Sequence, residues 1–172
     1  MRNPRVLASS GTVGRYHVTA RANLQEFILE DEAIKLMFLD IIKEAREKKH
    51  FQFAVKNFCI MDNHVHLILE IPVGESLSKL MQWMLSVFAL RFNSMFKRKG
   101  HVWYDRFYSQ LLEDTNQSDD AFVYVADNPV KANIVLKPWE YKYNGVTFIL
   151  NNDFSIIDKP PAYLMERVLN GT

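Results

Sequence analysis

The chain has 172 residues and a mass of 20.1 kDa, which fits a single domain able to bury a hydrophobic core without cross-links. Apolar residues make up 48% of it, and Cys59 is its one cysteine, which excludes an internal disulfide framework and favours a reducing compartment. We find neither an apolar leader segment nor a run of about 18 apolar residues. The sequence therefore predicts a cytoplasmic protein without a membrane span.

The net charge of +1 hides an uneven distribution along the chain. Basic residues fall into two blocks, Arg2, Arg5, Arg15 and Arg21 near the start and Arg91, Lys97, Arg98, Lys99 and Arg106 further on, followed by an acidic block of Glu113, Asp114, Asp119, Asp120 and Asp127. Such basic blocks could bind phosphates of a nucleic acid. They could equally be ordinary solvated faces.

The first half of the chain predicts a strand, a helix and a hairpin. Residues 15–23 alternate, with Tyr16, Val18 and Ala20 on one face and His17, Thr19 and Arg21 on the other. A helix follows, from the acidic run 30–32 to the basic end at Arg46, Lys48 and Lys49. Residues 51–60 form a second strand, and a turn at 61–63 leads into a third.

The third strand carries two histidines, His64 and His66, within the stretch MDNHVHLILE. Side chains on a strand alternate, so both imidazoles project to one face while Val65, Leu67 and Leu69 project to the core. Two neighbouring imidazoles could bind one divalent cation. A His-x-His pair could also be part of a solvated strand face.

The second half predicts a long helix capped by Ser76 and ending at Gly100, then a fourth strand over 107–113. The order β-α-β-β-α-β predicts an α+β, ferredoxin-like fold with an antiparallel sheet whose histidine face is left open. A further helix from Ser118 to Asp127, ended by Pro129, carries Tyr124. Beyond it we expect a strand at 146–150 and a weak helix at 162–169. The single domain 1–172 would thus have a core of about 15–145 and an irregular extension at 146–172.

Three stretches resemble the signature segments of a known family. They are MDNHVHLILE, GHVWYDRFYSQ and YVADNPVKANIV, and together they resemble those of the HUH single-tyrosine transposases, in particular the REP-associated tyrosine transposases. The resemblance runs from about Tyr16 to Tyr143. It departs at Asp62, where relatives commonly have proline, at Asn133, where they often have glycine, and around 141–145, where their run of serines is missing.

The resemblance implies a role for four side chains and a substrate. His64 and His66 would bind the metal, Tyr124 would be the nucleophile, and Asn128 would be the polar third ligand. The protein would cleave and rejoin single-stranded DNA containing a hairpin through a 5′-phosphotyrosine, and relatives occur both as monomers and as homodimers. Considered alone, Tyr124 would be interpreted as a core aromatic. Asn128 could equally be a helix C-cap before Pro129.

The chemistry of these side chains agrees with that role. Two imidazoles and an amide oxygen are neutral ligands that leave coordination positions open, which suits Mg²⁺ or Mn²⁺. A closed zinc site is disfavoured because Cys59 is the one thiol. No GxxxxGK[ST] phosphate loop occurs, so no nucleotide cofactor is expected. His17 or Lys131 could act as a base or simply contact phosphate.

The candidate DNA-binding residues are Arg15, Arg21, Lys97, Arg98, Lys99, Arg106 and Lys131. Trp103, Tyr104 and Phe107 could stack bases or anchor their loop in the core. Two other functions stay open at this stage: a non-catalytic nucleic-acid-binding module on the same scaffold, and a metal-dependent nuclease that uses water.

Overall fold

The computed structural model describes residues 7–9, 11–47 and 51–171, and a four-stranded antiparallel sheet lies at its centre. The strands are β1 (Gly14–Arg21), β2 (Ala54–Ile60), β3 (His64–Ile71) and β4 (Tyr108–Leu111). Their order across the sheet is β2-β3-β1-β4, which is the ferredoxin-like arrangement. The predicted fold class is confirmed.

One face of the sheet packs against the two long helices, α1 (Glu32–Glu47) and α2 (Leu77–Met95). Phe38 of α1 and Phe88 of α2 meet with ring centroids 5.6 Å apart, and both rings contact Trp103. The backbone of Trp103 forms an isolated β-bridge with Ala22, the residue after β1. Ser76 caps α2, as predicted, by accepting a hydrogen bond from Lys79 N. The basic end predicted for α1 at Lys48 and Lys49, and the basic residues Arg2 and Arg5, lie outside the described residues.

The turn between β2 and β3 is held by a buried lysine of α1. Lys35 donates to the carbonyl oxygens of Leu29 (2.6 Å) and Glu30 (3.0 Å) and to the carboxylate of Asp62 (2.6 Å). Asp62 also accepts a bond from Leu29 N through its carbonyl. The start of the histidine strand is therefore fixed to α1.

The opposite face is partly covered, contrary to the expectation that it stays open. The helix α3 (Thr115–Ala126) packs over β2 and β3, and α5 (Gly145–Leu150) packs over β2. Gly145 permits this close approach, since an added Cβ would lie 2.3 Å from Oδ1 of Asn57. The part of the face over β1 and β4 remains accessible as a groove.

The chain after β4 differs from prediction in three places. The fourth strand ends at Leu111 instead of residue 113. The helix α3 is capped by Asp114, whose side chain accepts a hydrogen bond from Gln117 N, and not by Ser118. Pro129 does not end the helical region but lies in the first turn of α4 (Asn128–Lys131), where a missing N–H is tolerated. Residues 146–150 are helical instead of forming a strand.

The C-terminal region is more regular than expected. It contains α5 and α6 (Ala162–Asn170), the second close to the predicted helix at 162–169. Two short 3₁₀ helices, at Asn23–Gln25 and Pro138–Glu140, complete the elements. Asn133 has φ of 57°, a left-handed conformation that suits glycine and is tolerated by asparagine.

Candidate active site

The two histidines lie on the sheet face opposite the helices α1 and α2, as their spacing predicts. Within β3, His64 pairs with Arg21 and His66 with Thr19 of the neighbouring β1. The ring centroids of His64 and His66 are 4.8 Å apart. His66 is buried and His64 is half-buried, so the solvated strand face considered above is excluded for His66.

Each of the two imidazoles is held through its Nδ1 atom. Nδ1 of His64 lies 2.7 Å from the amide oxygen of Asn63, an acceptor that suits the tautomer with its proton on Nδ1. Nδ1 of His66 lies 2.9 Å from Nε2 of His17 and 3.1 Å from Oγ1 of Thr19. With the proton of each ring on Nδ1, Nε2 would be the atom that keeps a lone pair for a ligand.

Burial keeps these histidines neutral. It lowers the pKa of His66 to about 3, with the neighbouring rings of His64 and His17 and then Arg21 adding to the effect. Burial, followed by the charge of Arg21, lowers the pKa of His64 to about 4, although Asp62 opposes the shift. Burial also lowers the pKa of His17. Neutral imidazole is the form that binds a metal.

Tyr124 projects from α3 toward the histidines. Its ring centroid lies 5.9 Å from that of His66 and 5.7 Å from that of His17, both in edge-to-face geometry. The side chain is 44% exposed, so the reading of Tyr124 as a core aromatic is excluded. The ammonium group of Lys131 lies 4.3 Å from the centroid of the same ring. The fold thus brings the predicted nucleophile, the histidine pair and one predicted basic residue together.

Two buried asparagines fix the helix that carries Tyr124. Asn57 of β2 donates its side-chain amide to the carbonyl of Phe122 (2.9 Å), two residues before the tyrosine. Asn144 donates to the carbonyl of Ala126 (2.7 Å), two residues after it. Both asparagines have 0% exposure. The backbone on either side of Tyr124 is therefore tied to the sheet and to the loop before α5.

Asn128 lies one helical turn beyond Tyr124, at the first residue of α4. Its amide nitrogen donates to the carbonyl of Tyr124 at 2.9 Å. This is the kind of contact expected if Asn128 ends the helix, although the C-cap residue of α3 is Asp127. The amide oxygen, the atom a metal would take, is not used by this bond. Asn128 is not among the residues that line the groove described next.

A groove of about 890 Å³ runs over the accessible part of this face. It lies between β1, β4, the loop before β4 and α3. Among its lining residues are His17, Arg21, His66, Arg106 and Tyr124. The groove thus passes over His17, His66 and Tyr124, whereas His64 is not among its lining residues.

The other candidate DNA-binding residues lie elsewhere. Arg15 pairs with Glu70 at the far end of β1 and β3, with a distance of 3.0 Å between Nε and Oε2. Arg98 pairs with Glu26 at 3.0 Å, and Lys97 and Lys99 are exposed beside it at the end of α2. None of the four lines the groove. Trp103 is buried and donates to the carbonyl of Leu85, which confirms a packing role.

The sequence did not identify Asn57, Asn144 and Lys35 as supports of the site. Asn57 and Asn144 offered one signal, because an asparagine inside or beside an apolar segment needs hydrogen-bond partners when buried. Their partners, however, lie 65 and 18 residues away along the chain.

Residues 12–128 match the family model for IS200-like transposases. A Haemophilus influenzae protein described as a REP-associated tyrosine transposase is 26% identical over 131 residues, which cover 66% of this chain and 74% of that protein. Among solved structures, a REP-associated tyrosine transposase bound to a REP hairpin superposes with a TM-score of 0.72, covering 94% of this chain and all of that one at 18% identity. A Deinococcus radiodurans protein described as a transposase gives a TM-score of 0.50, covering 78% of this chain and 98% of its own at 15% identity.

The chain belongs to the IS200-like transposases, the HUH single-tyrosine family that its sequence motifs resemble. The structural similarities agree with the ferredoxin-like fold of that family. None of the described helices combines the length and apolar character needed to cross a membrane.

Proposed function

We propose that the protein cleaves and rejoins single-stranded DNA that contains a hairpin, with Tyr124 as nucleophile and a divalent metal held by His64, His66 and Asn128. The observation that carries the proposal is the convergence of Tyr124 with the histidine pair, with ring centroids of Tyr124 and His66 5.9 Å apart. The solved relative bound to a REP hairpin supports hairpin DNA as the substrate class.

The donor atoms fit a metal ion that keeps open coordination positions. His64 and His66 are neutral, and when the proton of each ring is on Nδ1, both Nε2 lone pairs are available for a ligand. The described residues contain no cluster of three or more His, Cys, Asp or Glu side chains arranged for a metal. A third protein ligand beside the two histidines would then be a side chain of another type. The amide oxygen of Asn128 is the candidate, and oxygen donors suit Mg²⁺ or Mn²⁺.

In the proposed reaction the phenol oxygen of Tyr124 attacks the phosphorus of a phosphodiester in the groove. The bond from phosphorus to the 3′ oxygen breaks, a 5′-phosphotyrosine forms, and the phenol proton ends on the released 3′ hydroxyl. When bound, the divalent ion supplies charge that polarises the phosphate. Attack by a 3′ hydroxyl reverses these bond changes and joins the strands without ATP, because the phosphodiester energy is kept.

Three basic residues are placed to hold the strand during this exchange. Arg21 and Arg106 line the groove, and Lys131 lies against the Tyr124 ring. From these places their charges can contact the phosphates on both sides of the scissile bond. Arg15, Lys97, Arg98 and Lys99 lie outside the groove and would contact DNA beyond the cleavage site, such as a hairpin stem.

The experiment uses labelled DNA hairpins with randomised single-stranded flanks, incubated with protein and Mn²⁺. We expect a covalent protein–DNA adduct that survives denaturation and is lost in Tyr124→Phe and in His64→Ala. Cleavage that persists without an adduct in Tyr124→Phe but disappears in His64→Ala would indicate a water-using nuclease. Binding without cleavage, unchanged in both variants, would indicate a non-catalytic DNA-binding module.

A further inference from the structure

Two exposed tyrosines stand in line with the two histidines across the sheet. Thr19 of β1 pairs with His66 on one side and with Tyr108 of β4 on the other. Arg21 pairs with His64, and its carbonyl accepts a hydrogen bond from Tyr104 N at 3.0 Å. Residues opposite each other in neighbouring strands share a face, so Tyr108 lies on the histidine face. Tyr104 follows the isolated bridge between Ala22 and Trp103 and lines the groove on the same face.

Buried neighbours fix the outward direction of both rings. Trp103 and Phe107 are buried, whereas Tyr104 and Tyr108, which follow them, are 71% and 65% exposed. These are the two most exposed aromatic side chains in the described part of the chain. Both line the groove that also holds Tyr124.

The position of the tyrosines suits unpaired nucleotides near the scissile phosphate. Strands lie about 4.8 Å apart, so the backbone at Tyr108 is about 10 Å from that at His66. Arg21 and Arg106 line the groove together with the carboxylates of Asp105 and Asp120, and Asp120 is paired with Arg167 at 2.9 Å. Aromatic faces beside a basic track are the usual means of holding a single strand, because every base has a π-face.

We propose that Tyr104 and Tyr108 form a base-stacking subsite for the unpaired nucleotides next to the cleavage position. The ligand class is single-stranded DNA, recognised through its bases with little preference among them. The inference rests on the proposed function in so far as the cleaved strand must run along this groove. It adds which nucleotides are held and by which side chains.

The test measures binding of a short fluorescein-labelled oligo(dT) by anisotropy. We expect Tyr108→Ala and Tyr104→Ala each to weaken binding about 5- to 100-fold, while the Phe variants, which keep the ring, stay within about twofold of wild type. Phe27→Ala removes an exposed aromatic that does not line the groove and should have no effect. An abasic strand of the same length should bind equally to wild type and to the alanine variants.

Unchanged oligo(dT) affinity in both alanine variants would overturn the subsite, as would an equal loss with the abasic strand. These outcomes leave the proposed function intact if wild type still forms an adduct with a hairpin. A wild-type protein that binds no single-stranded DNA and forms no adduct would overturn both proposals. Circular dichroism of each variant separates lost binding from lost folding.

Discussion

Nε2 of His17 and Nδ1 of His66 lie 2.9 Å apart, with the two rings stacked at a centroid distance of 5.1 Å. His66 can use its Nε2 lone pair for a metal when its proton is on Nδ1, and that proton then needs an acceptor. The neutral His17, together with Thr19, provides one. We therefore assign His17 to positioning the ring and the tautomer of His66, a contact that is known to tune metal ligands in general.

The main expected effect of replacing His17 is weaker metal binding. His17→Phe keeps the ring shape but removes the acceptor, and we expect about 10- to 100-fold weaker Mn²⁺ affinity by calorimetry. His17→Gln retains an acceptor and should recover most of the affinity. Equal Mn²⁺ affinity in wild type and His17→Phe would show that His66 does not depend on this contact.

The two asparagines that hold α3 should matter for both stability and rate. Asn57→Asp keeps the shape but removes the donor to the Phe122 carbonyl, leaving a buried acceptor and a buried charge. We expect the free energy of unfolding to fall by about 2–3 kcal/mol, with slower adduct formation by the folded fraction. Asn93→Asp is the matched control, because Asn93 also donates to a carbonyl but in an exposed setting. Similar losses in the two variants would argue against a special role for Asn57.

The buried Lys35 should be a main support of the turn before β3. Lys35→Met leaves two carbonyls and the partly exposed Asp62 without their donor, and we expect a loss of about 2–3 kcal/mol in urea unfolding. Lys43→Met, on the same helix, breaks an exposed pair with Glu47 and should cost less than about 0.5 kcal/mol. Equal stability of the two variants would contradict the role of Lys35.

Acidification should destabilise the metal-free protein. The pKa of His66 is about 3 and that of His64 about 4 in the folded state, against about 6.5 when unfolded, so the unfolded chain takes up protons first as pH falls. The resulting loss in the free energy of unfolding is absent well above pH 6.5. It reaches at most about 2 kcal/mol for His66 at pH 5, with a smaller contribution from the more exposed His64.

Urea unfolding in chelator at pH 7 and pH 5 measures this effect. His66→Gln should show a smaller drop between the two pH values than wild type. The exposed His101→Gln serves as the control and should leave the drop unchanged. A wild-type midpoint that does not move between pH 7 and pH 5 would be inconsistent with buried neutral histidines.

The sequence predicted the sheet and the two long helices, because hydrophobic periodicity and side-chain alternation are local properties. The meeting of Tyr124 with the histidine pair was expected from the resemblance to the HUH single-tyrosine transposases. It mispredicted residues 146–150, whose β-branched and aromatic content favours a strand. There the Asn144 side chain accepts from Val146 N and Gly145 fits against β2, so tertiary contacts override propensity.

The supporting contacts of the site could not be predicted from the sequence. The bond between His17 and His66 depends on β1 lying beside β3 in one register, which spacing within either strand does not reveal. Likewise, the partial cover of the histidine face follows from where α3 and α5 dock. The departure at Asp62 gave no hint that its partner would be Lys35, 27 residues earlier.

The most direct test of the proposed chemistry is to map the residue that becomes linked to DNA. Protein trapped on its hairpin substrate with Mn²⁺ would be digested with nuclease and protease, and the nucleotide-bearing peptide identified by mass spectrometry. We predict a 5′-phosphate linkage on Tyr124. Linkage at another tyrosine, such as the groove residues Tyr104 or Tyr108, or cleavage that yields a free 5′-phosphate without any linked peptide, would contradict it.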